Sequence, residues 1–121
     1  NHIAPNQAGI TAVGDYVYVS SHNRSRICKF NASDLSDANF GNGQHCLSGG
    51  NVNRPIGLAA SGKTTASTAD DYLYSWAHNN RSGTINKFNA NSGAFDSRFA
   101  RRGTSSGQTY NIYRGLDRFS Y

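Results

Sequence analysis

Tyr16-Val17-Tyr18-Val19-Ser20, then Ile27-Cys28-Lys29-Phe30-Asn31, decides the reading of this chain, because both segments return in the same order. Tyr72-Leu73-Tyr74-Ser75-Trp76 repeats the first, and Ile85-Asn86-Lys87-Phe88-Asn89 repeats the second. The intervening His22-Asn23-Arg24-Ser25 returns as His78-Asn79-Asn80-Arg81-Ser82 with one inserted Asn. A short apolar stretch after a glycine precedes each pair: Gly9-Ile10-Thr11-Ala12-Val13 and Gly57-Leu58-Ala59-Ala60. A third copy opens at Gly115-Leu116-Asp117-Arg118-Phe119. Three segments matched in one order constitute an internal repeat, which fixes the architecture before any single element does.

Each unit reads as short strands. Tyr-Val-Tyr-Val alternates residues that favour extended backbone. Ile27 and Lys29 fall on one face of the next strand, Cys28 and Phe30 on the other, since side chains alternate along a strand. The Asn-Arg-Ser segments between them suit hairpin turns. Tyr16–Ser20 is expected to pair antiparallel with Ile27–Asn31, and Tyr72–Trp76 with Ile85–Asn89. A degenerate fourth strand is expected at Asp37 to Phe40 and at Ala94 to Phe99. Residues 61–71 and 103–109 read as polar loops.

Composition agrees. The 121 residues make one ordinary domain. There is no Glu and no Met, against 14 Asn, 15 Ser and 13 Gly, so good helix formers are scarce and a helical bundle is excluded. No apolar run approaches the length of a membrane-spanning helix.

A unit of 45 to 60 residues with four short strands has the period of a β-propeller blade. The order of glycine-led apolar strand, Tyr-Val/Leu-Tyr strand, Asn-Arg turn and Ile-x-Lys-Phe-Asn resembles the NHL repeat. Departures occur at Ser21 and Ala77, where the family often has Asp. The resemblance implies an all-β chain of antiparallel blades: one at 9–50, one at 57–103 and a third-blade stub at 115–121. Two blades do not close a ring of four to eight. The expectation is therefore a portion of a longer propeller, or copies that assemble into a ring or filament. The chain begins at Asn1 without Met or a leader segment, as a processed product or portion would.

Two cysteines, Cys28 and Cys46, are too few and wrongly spaced for a zinc site built from C-x-x-C pairs. They suit one disulfide, which stabilises by roughly 3 kcal/mol in the chain-entropy model. Asn23, Asn31 and Asn80 each head an Asn-x-Ser sequence. Their number is no more than chance gives, but Asn23 and Asn80 occupy the same turn of two units, where an N-linked glycan would be exposed. Together these features point to an extracellular or secreted protein.

Gly57 to Thr64 spells G-x-x-x-x-G-K-T. A phosphate-binding loop needs a strand before its first glycine and a helix after the Thr; neither neighbouring stretch has that pattern. His22 and His78 read as exposed turn residues rather than ligands, since equivalent positions of successive blades face around a ring. No paired carboxylates or nucleophile–base constellation appear. No enzyme, cofactor or metal site is therefore expected. The net charge of +5 with interleaved Tyr and Phe, and some NHL-type propellers' affinity for RNA, give an alternative: a basic face binding RNA or another anionic polymer. Arg101-Arg102 is the only basic doublet, so nucleic acid is the weaker reading. The first reading is a non-enzymatic structural or protein-interaction module that self-associates or binds another protein.

Overall fold

A computed structural model describes residues 7–52, 54–62, 71–77 and 84–101. They form two four-stranded antiparallel sheets, each a simple meander. The first holds β1 (Gln7–Val13), β2 (Tyr16–Ser21), β3 (Arg26–Asn31) and β4 (Cys46–Leu47). The second holds β5 (Pro55–Ser61), β6 (Tyr72–Ala77), β7 (Thr84–Asn89) and β8 (Phe95–Arg101). The described residues include no helix. The stub at 115–121 and the turn carrying His78 and Asn80 lie outside the described residues.

The repeat governs register. Tyr18 pairs with Lys29 and Ser20 with Ile27, while Tyr74 pairs with Lys87 and Trp76 with Ile85. Both expected hairpins are present in the same register. A Ser25 N–H to His22 carbonyl bond of 3.3 Å closes the described turn.

The fourth strand of the first sheet is a correction. Only Asp37 of the expected 37–40 segment pairs, in an isolated bridge with Phe30. The strand proper is Cys46–Leu47, with Cys46 opposite Cys28. Phe40 explains the displacement: its ring is 2% exposed, so the chain turns inward there instead of running along β3. Gly43, at φ 86°, lets the chain reverse, with the Phe40 N–H bonded to the Gln44 carbonyl. In the second sheet β8 takes in residues 95–99 of the expected 94–99 stretch and runs on to Arg101.

One core lies between the sheets. Tyr18, Ile27 and Leu47 from one face of the first sheet meet Leu73, Phe88 and Ala90 from the second, with Phe40 and Val52 filling in. The sheets converge along β1 and β5. A Cβ on Gly9 would stand 2.8 Å from the Leu58 amide nitrogen, so only glycine permits the two backbones this approach.

The turns after β3 and β7 are equivalent. Leu35 and Gly93 each donate an N–H to the Asn four residues earlier, at 2.8 Å. Both sit in left-handed backbone, at φ 60° and 81°. Leu35 suffers the Cβ strain that Gly93 escapes. Leu35→Gly is expected to raise stability by about 0.5–1 kcal/mol in urea denaturation. A Cβ at Gly93 would also stand 2.7 Å from Leu47 Cδ2. Gly93→Ala should therefore cost about 2 kcal/mol in the same assay.

Candidate functional site

The chemistry-bearing side chains gather at the seam between the sheets. Tyr18, on β2, is 1% exposed, and its hydroxyl donates to the Ala90 carbonyl at 3.0 Å. Burial pushes its phenol well above the ordinary range, with the Asp71 carboxylate and then Tyr16 adding to the effect. Lys29, on β3, is 2% exposed. Its ammonium lies 3.9 Å from the Tyr16 ring centroid and 5.4 Å from that of Phe40. Desolvation lowers the pKa of this amine. Asp71, just before β6, is 4% exposed and its Oδ1 has no hydrogen-bond partner. That oxygen fills the place a Cβ on Gly62 would take.

Tyr16, Tyr18, Lys29, Asp71 and Asn91 line a small cleft. The cleft is lined from both sheets, and the Tyr18 hydroxyl bond to the Ala90 carbonyl crosses it. Small-molecule sites enclose about 300 Å³ or more, whereas the space here does not admit a water molecule. The arrangement is a polar lock inside an apolar seam.

The second sheet carries the same residues on its outward face. Lys87 Nζ lies 4.0 Å from the Tyr72 ring centroid and 3.8 Å from Asp96 Oδ2. The Tyr74 hydroxyl shares a hydrogen bond of 2.9 Å with Ser61 Oγ.

A second cluster surrounds the cysteines. Cys28 and Cys46 form a disulfide, as their spacing suggested. His45 lies beside them. Its Nδ1 is 2.8 Å from the Ala38 carbonyl, its Nε2 is 3.6 Å from Asp37 Oδ1, and its ring packs edge-on to Phe30.

The remaining sequence candidates are dispersed. Asn23 is exposed in the β2–β3 turn, its Oδ1 3.4 Å from His22 Nδ1. The Asn31 side-chain amide donates to Ser36 Oγ at 3.0 Å and to the Asp37 carbonyl at 3.4 Å. Gly57 to Ser61 runs as extended strand within β5, not as a loop, and Lys63 and Thr64 lie outside the described residues. Arg101 ends β8, while Arg102 lies outside the described residues. Of the described lysines, Lys29 is buried and Lys87 is paired with Asp96. No helix among the described residues is long and apolar enough to cross a membrane.

Sequence reasoning missed the seam lock and His45. The retention of Tyr-x-Tyr and Lys in both copies signalled the lock, and His45-Cys46 adjacency signalled the second cluster. No family model, curated protein or solved structure matches this chain.

Tyr18→Phe leaves the buried Ala90 carbonyl unsatisfied and should cost about 1–3 kcal/mol, whereas Tyr74→Phe should be near neutral. The pH dependence follows from the raised phenol. Above about pH 10 the unfolded chain releases a proton that folded Tyr18 keeps, so stability falls as pH rises. Lys29 acts with the opposite sign below 10.5, because the folded state loses its proton first. Denaturation profiles should show the alkaline fall shrinking in Tyr18→Phe; an unchanged profile would contradict the assignment.

Proposed function

We propose that this chain is a non-enzymatic, extracellular structural and protein-interaction module, and that its sheets are NHL-like propeller blades that continue into a second copy, head to tail. One observation carries the reading: several equivalent residues at the centres of the two sheets have inverted burial. Tyr18, Ile27 and Lys29 are buried where Tyr74, Ile85 and Lys87 are half-exposed. In the opposite sense, Asp71, Leu73, Phe88 and Ala90 are buried where Asp15 and Ala32 are exposed and Val17 and Phe30 half-exposed.

The seam is thus one face of the first sheet against the other face of the second. The two outer faces are the same pair, with Val17 and Phe30 half-exposed on one and Tyr74 and Lys87 half-exposed on the other. Docking a second copy in the manner of the internal seam brings Asp15 to Lys87 and the Ala32 carbonyl to the Tyr74 hydroxyl. An interface of this kind is heterologous, so it generates a ring if it closes and a filament if it does not. The close approach of β1 and β5 at Gly9 supports inner strands converging on an axis, as propeller blades do.

Two substitutions separate the ends. Tyr74→Asp spoils the open face of the second sheet, and Val17→Asp that of the first. The native chain is expected to associate with rising concentration in analytical ultracentrifugation. Each variant alone should remain monomeric, while an equimolar mixture should form a one-to-one heterodimer. Native protein that stays monomeric at high micromolar concentration, or a mixture that fails to pair, would refute head-to-tail stacking.

The extracellular part of the reading rests on the disulfide and the exposed Asn23. Peptides from native material are expected to carry sugar at Asn23. Enzymatic deglycosylation would then raise that peptide's mass by about one unit, as Asn becomes Asp. Unmodified Asn23 and Asn80 in material from a glycosylating source would count against it.

A further inference from the structure

The corner of the first sheet around the disulfide holds more than a covalent staple. The two sulfurs and a ring nitrogen of His45 lie within 4.8 Å of one another. Cys28 and Cys46 are directly opposed across β3 and β4, so backbone pairing alone keeps their side chains together. Cys28 is fully buried, while His45 and Cys46 are half-buried.

The His45 ring is also oriented. The Ala38 carbonyl can only accept, so the nitrogen 2.8 Å from it, Nδ1, carries the hydrogen. In the neutral ring the lone pair is then on Nε2. A histidine whose other ring N–H is held by a backbone carbonyl has the usual support of a metal ligand. Nε2 lies 3.6 Å from Asp37 Oδ1, an ion pair only when the ring is protonated.

We propose that reduction of the Cys28–Cys46 disulfide converts this corner into a zinc-binding site. The two thiolates and His45 are its ligands, with water as the fourth. Tetrahedral zinc with thiolate and imidazole ligands sets their donor atoms roughly 3.6–3.8 Å apart. The cluster meets that spacing once the sulfurs separate and the ring closes in by about an ångström.

The chemistry balances in two steps. A dithiol reductant supplies two electrons and two protons; the sulfur–sulfur bond breaks, two thiols form, and the reductant becomes its cyclic disulfide. Zinc then displaces both thiol protons to solvent as two zinc–sulfur bonds form, with no change in its oxidation state. In the oxidised chain no thiolate exists and the site is closed. The protein would therefore bind metal only in its reduced form, whether or not the chain stacks head to tail.

Cobalt(II) is the probe. Oxidised protein and protein reduced and held without oxygen are titrated with cobalt and followed by absorbance. Reduced protein is expected to take one cobalt per chain. Its spectrum should show a thiolate-to-cobalt charge-transfer band and the visible bands of tetrahedral coordination, both abolished by zinc. Oxidised protein should show neither. Cys28→Ser should remove most of the charge-transfer intensity, and His45→Ala should weaken binding at least about tenfold. Circular dichroism runs in parallel, so that reduction-induced unfolding is seen. Reduced protein without these bands overturns the site, whether its strands persist or are lost. So does a His45→Ala variant that binds as tightly as the native chain.

Discussion

A four-stranded sheet with apolar side chains on both faces must be covered on both faces, and that constraint shapes this molecule. β2 and β3 place Tyr18, Ile27 and Lys29 on one side and Val17, Cys28 and Phe30 on the other. Neither side is a plain solvent face. The second sheet covers the first side with Leu73 and Phe88, which are the repeat equivalents of Val17 and Phe30. The sequence of one unit therefore contains both halves of the seam. Burying such surface contributes about 25 cal/mol for each square ångström removed from water. Stacking is thus the main source of stability for a unit this thin.

Within the frame the two copies solve the same local problem differently. Cys28 faces Cys46 and is bridged to it. At the matching place Asn86 faces Arg98, whose Nε donates to Asn86 Oδ1 at 3.1 Å. Asn86 is 1% exposed, so its amide must also be satisfied, and it donates to the Asn51 carbonyl. A second Arg98 nitrogen donates to Asn51 Oδ1 at 3.0 Å. A covalent link in one sheet is thus replaced by a hydrogen-bonded network in the other, each tying the third strand to the fourth.

What the sequence revealed follows from where the physics is local. The Tyr-Val-Tyr-Val and Ile-x-Lys-Phe-Asn segments declare strands, faces and register, because alternation and turn chemistry act over a few residues. The cysteine pairing was legible for the same reason, with two thiols and one partner each. The fourth strand at Cys46–Leu47 was not legible, because its place depends on Phe40 finding the core from a loop. The seam lock was equally hidden. Asp71 looks like one of two acidic residues ahead of a strand, and only the packing of two sheets brings it to the cleft of Lys29. His45 gave only its adjacency to Cys46, and its ring position depends on Ala38 and Phe30, which loop geometry supplies.

The lysines show how local and long-range terms divide. Lys29 and Tyr16 are diagonal neighbours on one face of a hairpin, within reach of long and aromatic side chains. Lys87 lies over Tyr72 at nearly the same distance, 4.0 Å against 3.9 Å, although its side chain is 27% exposed. The cation–ring contact therefore does not depend on the covering sheet. It belongs to the hairpin, and it holds the ammonium at a fixed point on the face to be covered. Covering that face desolvates the ammonium and lowers its pKa. Asp71 lines the same cleft from the other sheet and is itself buried. An apolar seam alone tolerates sliding between sheets. The Tyr18 hydroxyl bond to the Ala90 carbonyl, 3.0 Å long across the seam, is made in one register only, so it selects one alignment of sheet on sheet.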